Sequence, residues 1–142
     1  MLHIIFAFLS LIVNPVETAT VNSSITLTVT NIEVPKGYVV ISLYQNNPKS
    51  FPDEKAIYKK IKIKVKGKSI KYTFKNLPKG DYAIIAFHDK NSDGDCNINF
   101  VGIPTEGYGF SQNVRPKLSV PSFNDVKFSV TTHKNTSIQL IN

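Results

Sequence analysis

The chain has 142 residues, a formal net charge of +7 and one cysteine. That length suits one domain with an adequate core and is short for two, and a lone cysteine, Cys96, excludes an intramolecular disulfide scaffold. The charge is local: residues 55–75 hold nine lysines and no acid, which leaves the rest of the chain near a net charge of −2, and the absence of a recognised nucleic-acid motif argues against a nucleic-acid partner.

In chain order, Met1 to Val13 are almost wholly apolar and stop at Asn14-Pro15. A run of this length is too short to span a bilayer and fits the core of a secretory signal. The expectation is a signal peptide over residues 1–19, followed by one mature domain over 20–142 that is not an integral membrane protein after cleavage. Glu17 stands three places before a cut after Ala19 and is a poor residue there, so the cleavage position is left open.

From Ser24 onward apolar residues alternate with polar ones, and no segment repeats at helical spacing. Ile25, Leu27 and Val29 form one face of a first strand; Pro35-Lys36-Gly37 turns the chain into a second, Tyr38 to Tyr44. Residues 45–56 carry Asn46-Asn47-Pro48 and Phe51-Pro52-Asp53 and read as a loop with room for one helical turn. Lys60 to Lys66 puts Ile61, Ile63 and Val65 on one face and lysines on the other, and Lys66-Gly67-Lys68 reverses into a strand whose inner face is Ile70, Tyr72 and Phe74. Asp81 to Phe87 is apolar on both faces, as a central strand must be. Val126, Phe128 and Val130 mark another strand, and Ile138, Leu140 and Ile141 a short last one. The prediction is an all-β, two-sheet sandwich of about seven strands with one long ordered loop.

That loop covers roughly 30 residues from Asp89 to Pro121, too many to lie unsupported in a compact domain, so something within it must be ordered. Aromatic residues Phe100, Tyr108 and Phe110 are candidates to tuck it against the sandwich. Its opening stretch sets Asp89, Asn91 and Asp93 at alternate positions ahead of Gly94, with Asp95 and Asn97 following at the same spacing. Calcium takes six to eight oxygens, and side chains at positions one, three and five before a glycine at six wrap a backbone around such an ion. Phe100 occupies the twelfth position and a strand precedes the loop, so this is not an EF-hand; Glu106, returned by turns at Gly102, Pro104 and Gly107, could replace the missing acid. The expected metal set is Asp89, Asn91, Asp93, Asp95, Asn97 and Glu106. The alternative is a metal-free turn, since Asp, Asn and Gly are favoured in turns on backbone grounds alone.

The stretch LPKGDYAIIAFHDKNSDGDCNINFVGIPTEGYGFSQN resembles the hallmark of a bacterial exported family numbered 2141 among the domains of unknown function. The likeness lies in Leu77-Pro78-x-Gly80-x-Tyr82-Ala83, in His88-Asp89-x-Asn91 and in the run from Gly102 to Ser111, and residues 22–131 fit its spacing of strands. The resemblance implies a transthyretin-like or immunoglobulin-like sandwich, export to the periplasm or medium, and no established activity. Where members often carry Leu-Asp after the glycine turn, this chain has Cys96-Asn97, which lowers the charge of the loop.

Three further groups invite a function. The alternating Lys60, Lys62, Lys64 and Lys66 could hold anionic glycans or lipids by charge, or simply solvate an outer strand and guard its edge. Tyr108 and Phe110 could line a small groove or merely pack the loop. A hydrolase is the weakest reading, because it needs His88, Glu106 and a serine such as Ser111 in one closed pocket. The sequence therefore points to an exported, non-enzymatic binding or accessory module of the cell envelope with a calcium-ordered loop; the runner-up is a lysine-rich adhesion module.

Overall fold

The computed structural model describes residues 22–142, so the expected signal peptide lies outside the described residues. The strands are β1 (Ser23–Thr30), β2 (Tyr38–Gln45), β3 (Lys59–Lys64), β4 (Ile70–Leu77), β5 (Gly80–Asp89), β6 (Tyr108–Phe110), β7 (Phe128–Val130) and β8 (His133–Gln139). One sheet runs β4-β1-β8 and the other β3-β2-β5-β6, with β7 also pairing to β5. Neighbours are antiparallel except β1 and β8, which are parallel. The fold is an all-β two-sheet sandwich.

Period-two alternation sends Ile25, Leu27 and Val29 of β1 inward, where they meet Val39, Ile41 and Leu43 of β2 and Tyr82, Ile84 and Ala86 of β5, all of them fully buried. Burying an aliphatic side chain of this size contributes about 1.5–3 kcal/mol, so truncating Leu27 to Ala would cost about 2–5 kcal/mol. β2 and β5 are buried on both faces. The outer face of their sheet carries a second cluster, Tyr44, Ala83, Phe110, Phe123 and Val126, covered by residues 46–58 and 111–127. Tyr44 fixes the first cover: its Oη donates to the Pro52 carbonyl at 2.9 Å, and its ring meets Phe51 edge-on at 4.8 Å.

Two elements differ from expectation. Val126 ends a four-residue helical turn, α1 (Phe123–Val126), instead of opening a strand. The reason is a capping box: the Ser122 side chain accepts from the Asp125 N–H while Asp125 accepts from the Ser122 N–H, which satisfies the free amides of a helix start. The eighth strand, β6, lies inside the long loop and supplies the order that the loop's length demanded.

β5 positions the site. Its inner face ends in His88, fully buried, whose Nε2 stands 2.8 Å from the Lys36 carbonyl. A carbonyl only accepts, so Nε2 donates to it, and Nδ1 is buried with no partner among the described residues. Gly37, at φ +72°, presses so close to the Asp89 carbonyl that a Cβ would collide with it. The β1–β2 turn thus clamps the end of β5 where the long loop departs.

Candidate functional site

Asp89 is fully buried and is the hub of the loop. Its Oδ1 accepts from the Asp93 N–H at 3.1 Å, and its Oδ2 accepts from the Gly94 N–H at 3.0 Å and from the Lys62 ammonium at 3.1 Å. Asn91 Oδ1 accepts from the Asp93 N–H at 3.2 Å, and Asp93 Oδ1 from the Asp95 N–H at 2.9 Å. These nested turns follow from the alternate spacing, because an Asp or Asn oxygen reaches the amide two residues on. The Asp95 N–H, then the Asn97 and Asn91 side chains, hold the Asp93 carboxyl below the usual range.

At the centre sits the Asn91 amide, whose Nδ2 donates to Asp93 Oδ2 at 2.8 Å and to Asn97 Oδ1 at 3.1 Å. The two ends of an amide are nearly isosteric. A half-turn of Asn91 would place three oxygens together for a cation, but it would also turn Nδ2 toward the Asp93 N–H that Oδ1 accepts from. The donors are carboxylate and amide oxygens, the kind a hard ion takes, with Asp93 Oδ2 already accepting from the Asn91 and Asn97 amides at 2.8 and 2.9 Å. Among the described residues no three acid, histidine or cysteine side chains converge as a metal group; an ion here would rest on Asp93 and the two amides, with Asp89 behind them.

Of the expected ligands, Asp89, Asn91, Asp93 and Asn97 come together. Asp95 is exposed and its side chain makes no hydrogen bond among the described residues. Glu106 does return to the loop, as its turns suggested, yet it is buried at the neck: Oε1 accepts from the Lys90 N–H at 2.8 Å and Oε2 from the Asn97 N–H at 3.3 Å. It closes the loop upon itself as a clip.

Beyond Asn97 the loop becomes apolar and walls an open groove of about 700 Å³. The floor is the outer face of the larger sheet, Ser42, Tyr44, Ile85, Phe87, Tyr108 and Phe110. One wall carries Ile98, Val101 and Ile103, each more than half exposed, and the opposite one Leu118 and Val120. Sequence reasoning missed this wall. Its signal was several large apolar residues in a Gly- and Pro-punctuated stretch that belongs to no strand. Phe100, expected to anchor the loop, is instead fully exposed, while Tyr108 and Phe110 do pack against the sheet. Cys96 also lines the groove, half-buried and free. Burial, with Glu106 adding to it, pushes its thiol up to about 11, which makes it an inert packing group at neutral pH.

The lysine row is partly spoken for. Lys60 pairs with Glu54 at 2.6 Å, and Lys62 with Asp89, its ammonium also lying 4.4 Å from the Tyr38 ring centroid; Lys64 and Lys66 make no ion pair among the described residues. His88, Glu106 and Ser111 are tied to different groups. Ser111 is fully buried, accepts from the Ile84 N–H at 2.9 Å and donates to the Val126 carbonyl at 2.5 Å. No helix among the described residues is long and apolar enough to cross a membrane.

Residues 27–139 match the family described as an uncharacterized protein conserved in bacteria, DUF2141. The chain belongs to that family. No curated protein and no solved structure matches it. The match reaches the end of β8, past Thr131 where the sequence resemblance stopped. In this member of DUF2141 the Gly102 to Ser111 run has a job at nearly every position: Glu106 clips the loop, Tyr108 and Phe110 floor the groove, and Ser111 braces β5. Gly109 lies against Ile138 at a distance no Cβ would tolerate, so β6 can pack on the end of β8.

Proposed function

We propose that the protein is an exported, non-enzymatic binding module of the bacterial envelope whose long loop takes calcium. The observation that carries this reading is that one loop has two halves with complementary uses: Asp89 to Asn97 gathers the oxygens, and Ile98 to Pro104 walls the groove. A cation that orders the first half shapes a ligand site with the second. Export rests on the apolar run Met1 to Val13, and the separate commitments of His88, Glu106 and Ser111 favour binding over hydrolysis. The lysine adhesion reading draws less support, because two of its four lysines are already paired.

Extracellular modules bind calcium at about 0.1–1 mM. With a dissociation constant of about 0.1 mM and about 1 mM free ion, linkage contributes roughly 1.4 kcal/mol, or a melting temperature about 3–6 °C higher. Thermal melting of residues 20–142 in calcium and in chelator is expected to show that rise, and Asp93→Ala to abolish it. Asp93 suits the test because its exposed side chain leaves the fold standing. A melting temperature indifferent to several millimolar calcium would remove the ion from the proposal.

A further inference from the structure

The groove has a chemistry that narrows its occupant. Its floor belongs to β2, β5 and β6, and both edges of β2 and β5 are taken up by neighbouring strands. No free backbone amides face the groove from these two central strands to extend a sheet with a peptide. Polar side chains on the floor are few: Ser42 is almost buried, the Tyr44 hydroxyl is committed to the Pro52 carbonyl, and the Tyr108 hydroxyl alone makes no hydrogen bond among the described residues. A peptide lying here would desolvate a run of N–H and C=O groups with one hydroxyl to receive them. A hydrocarbon chain has no such groups.

The walls agree. Leu118 is fully exposed and Ile98, Val101, Ile103 and Val120 are 57–62% exposed, an amount of apolar surface that an occupant would cover along the length of the groove. Its volume, about 700 Å³, lies in the range of small-ligand sites. The rim is charged. Glu54 is neutralised by Lys60, which leaves Lys117 and Asp95 as its unpaired charges. On the outer face of β3, Lys60 and Lys62 are already paired, and Lys64 alone of that row adds positive charge without an ion pair among the described residues.

We propose that the groove binds a single-chain anionic amphiphile, its hydrocarbon laid over Ile85, Phe87, Tyr108 and Phe110 and its acidic head set against Lys117. The inference rests on the binding-module reading and deepens it by naming the ligand class. It does not need the ion.

The test is a titration of residues 20–142, in chelator, with a dansyl-labelled undecanoic acid whose fluorescence rises in an apolar site, followed by displacement with palmitate. Running it without calcium keeps its failure separate from a failure of the calcium reading. The expected result is saturable one-to-one binding. The double variant Val101→Asp/Val120→Asp, exposed at both positions, should weaken it about tenfold or more. Lys117→Glu should weaken palmitate while leaving the neutral alcohol hexadecanol unchanged. Absence of binding by a protein with an unaltered melting curve overturns the proposal, as does binding indifferent to the wall substitutions. Sedimentation with phosphatidylglycerol vesicles that is lost in Phe100→Ser/Leu118→Ser, without palmitate binding, also overturns it in favour of docking on a bilayer.

Discussion

Asp89 shows how much one side chain can organise. Buried without solvent, its carboxylate receives two backbone amides and one ammonium, and charge-assisted bonds of this kind are roughly twice as strong as neutral ones. Replacing it by Ala strands the Gly94 amide and leaves the Asp93 amide only its bond to Asn91 Oδ1; Lys62, 41% exposed, simply returns to water. The expected cost of Asp89→Ala is about 2–4 kcal/mol, read as a drop in the urea midpoint at constant slope. Asp89→Asn should fall between, since its amide offers one acceptor where two are used. A wild-type midpoint for Asp89→Ala would show that the hub is dispensable. The spacing of Asp89, Asn91, Asp93 and Gly94 announced an ordered loop, and that is what folds. The sequence could not say that Asp89 faces a lysine from β3, 27 residues earlier, because that contact depends on the register of β2 between them. Nor could it say that Glu106 turns its oxygens to backbone amides.

At the scale of elements, legibility followed solvent. β1, β2 and β4 read directly because one or both faces are buried and apolar residues fall at period two. β8 was seen only at its Ile138 end: the rest, HKNTS, is a largely exposed edge whose polar residues carry no pattern, held to β1 by the backbone ladder and a side-chain contact between Ser24 Oγ and His133 Nδ1 at 2.7 Å. β6 is three residues long and indistinguishable from its loop until β5 pairs with it. What holds that region to the sandwich is Ser111, which joins β5 to α1 through Ile84 and Val126. Ser111→Ala would leave a buried amide and a buried carbonyl unsatisfied, at about 1–3 kcal/mol. Hydrogen exchange gives the sharper test: the Ile84 amide should lose protection while Leu27, in the opposite sheet, keeps its own relative to the lowered global stability. Unchanged exchange at Ile84 would mean that the hydroxyl braces nothing.

For the whole molecule, the arrangement of the two half-loops makes a quantitative demand. The wall residues Ile98 to Pro104 are anchored at both ends to the oxygen-bearing half: the Asn97 carbonyl accepts from the Thr105 N–H at 2.8 Å and the Asn97 N–H donates to Glu106. An ion that draws Asn91, Asp93 and Asn97 together therefore limits the positions the wall can take, and an amphiphile seated against the wall limits the loop in return. Coupling between two sites is reciprocal, so the factor by which calcium tightens palmitate must equal the factor by which palmitate tightens calcium. A coupling of about fivefold corresponds to about 1 kcal/mol, small beside global stability and within reach of calorimetry. The expected outcome is tighter palmitate binding in calcium than in chelator, matched by an equal change in the calcium isotherm with palmitate present, and no difference in Asp93→Ala. Two isotherms that each saturate without influencing the other would show that the halves of the loop act independently, with the wall held by the clip at Glu106 alone.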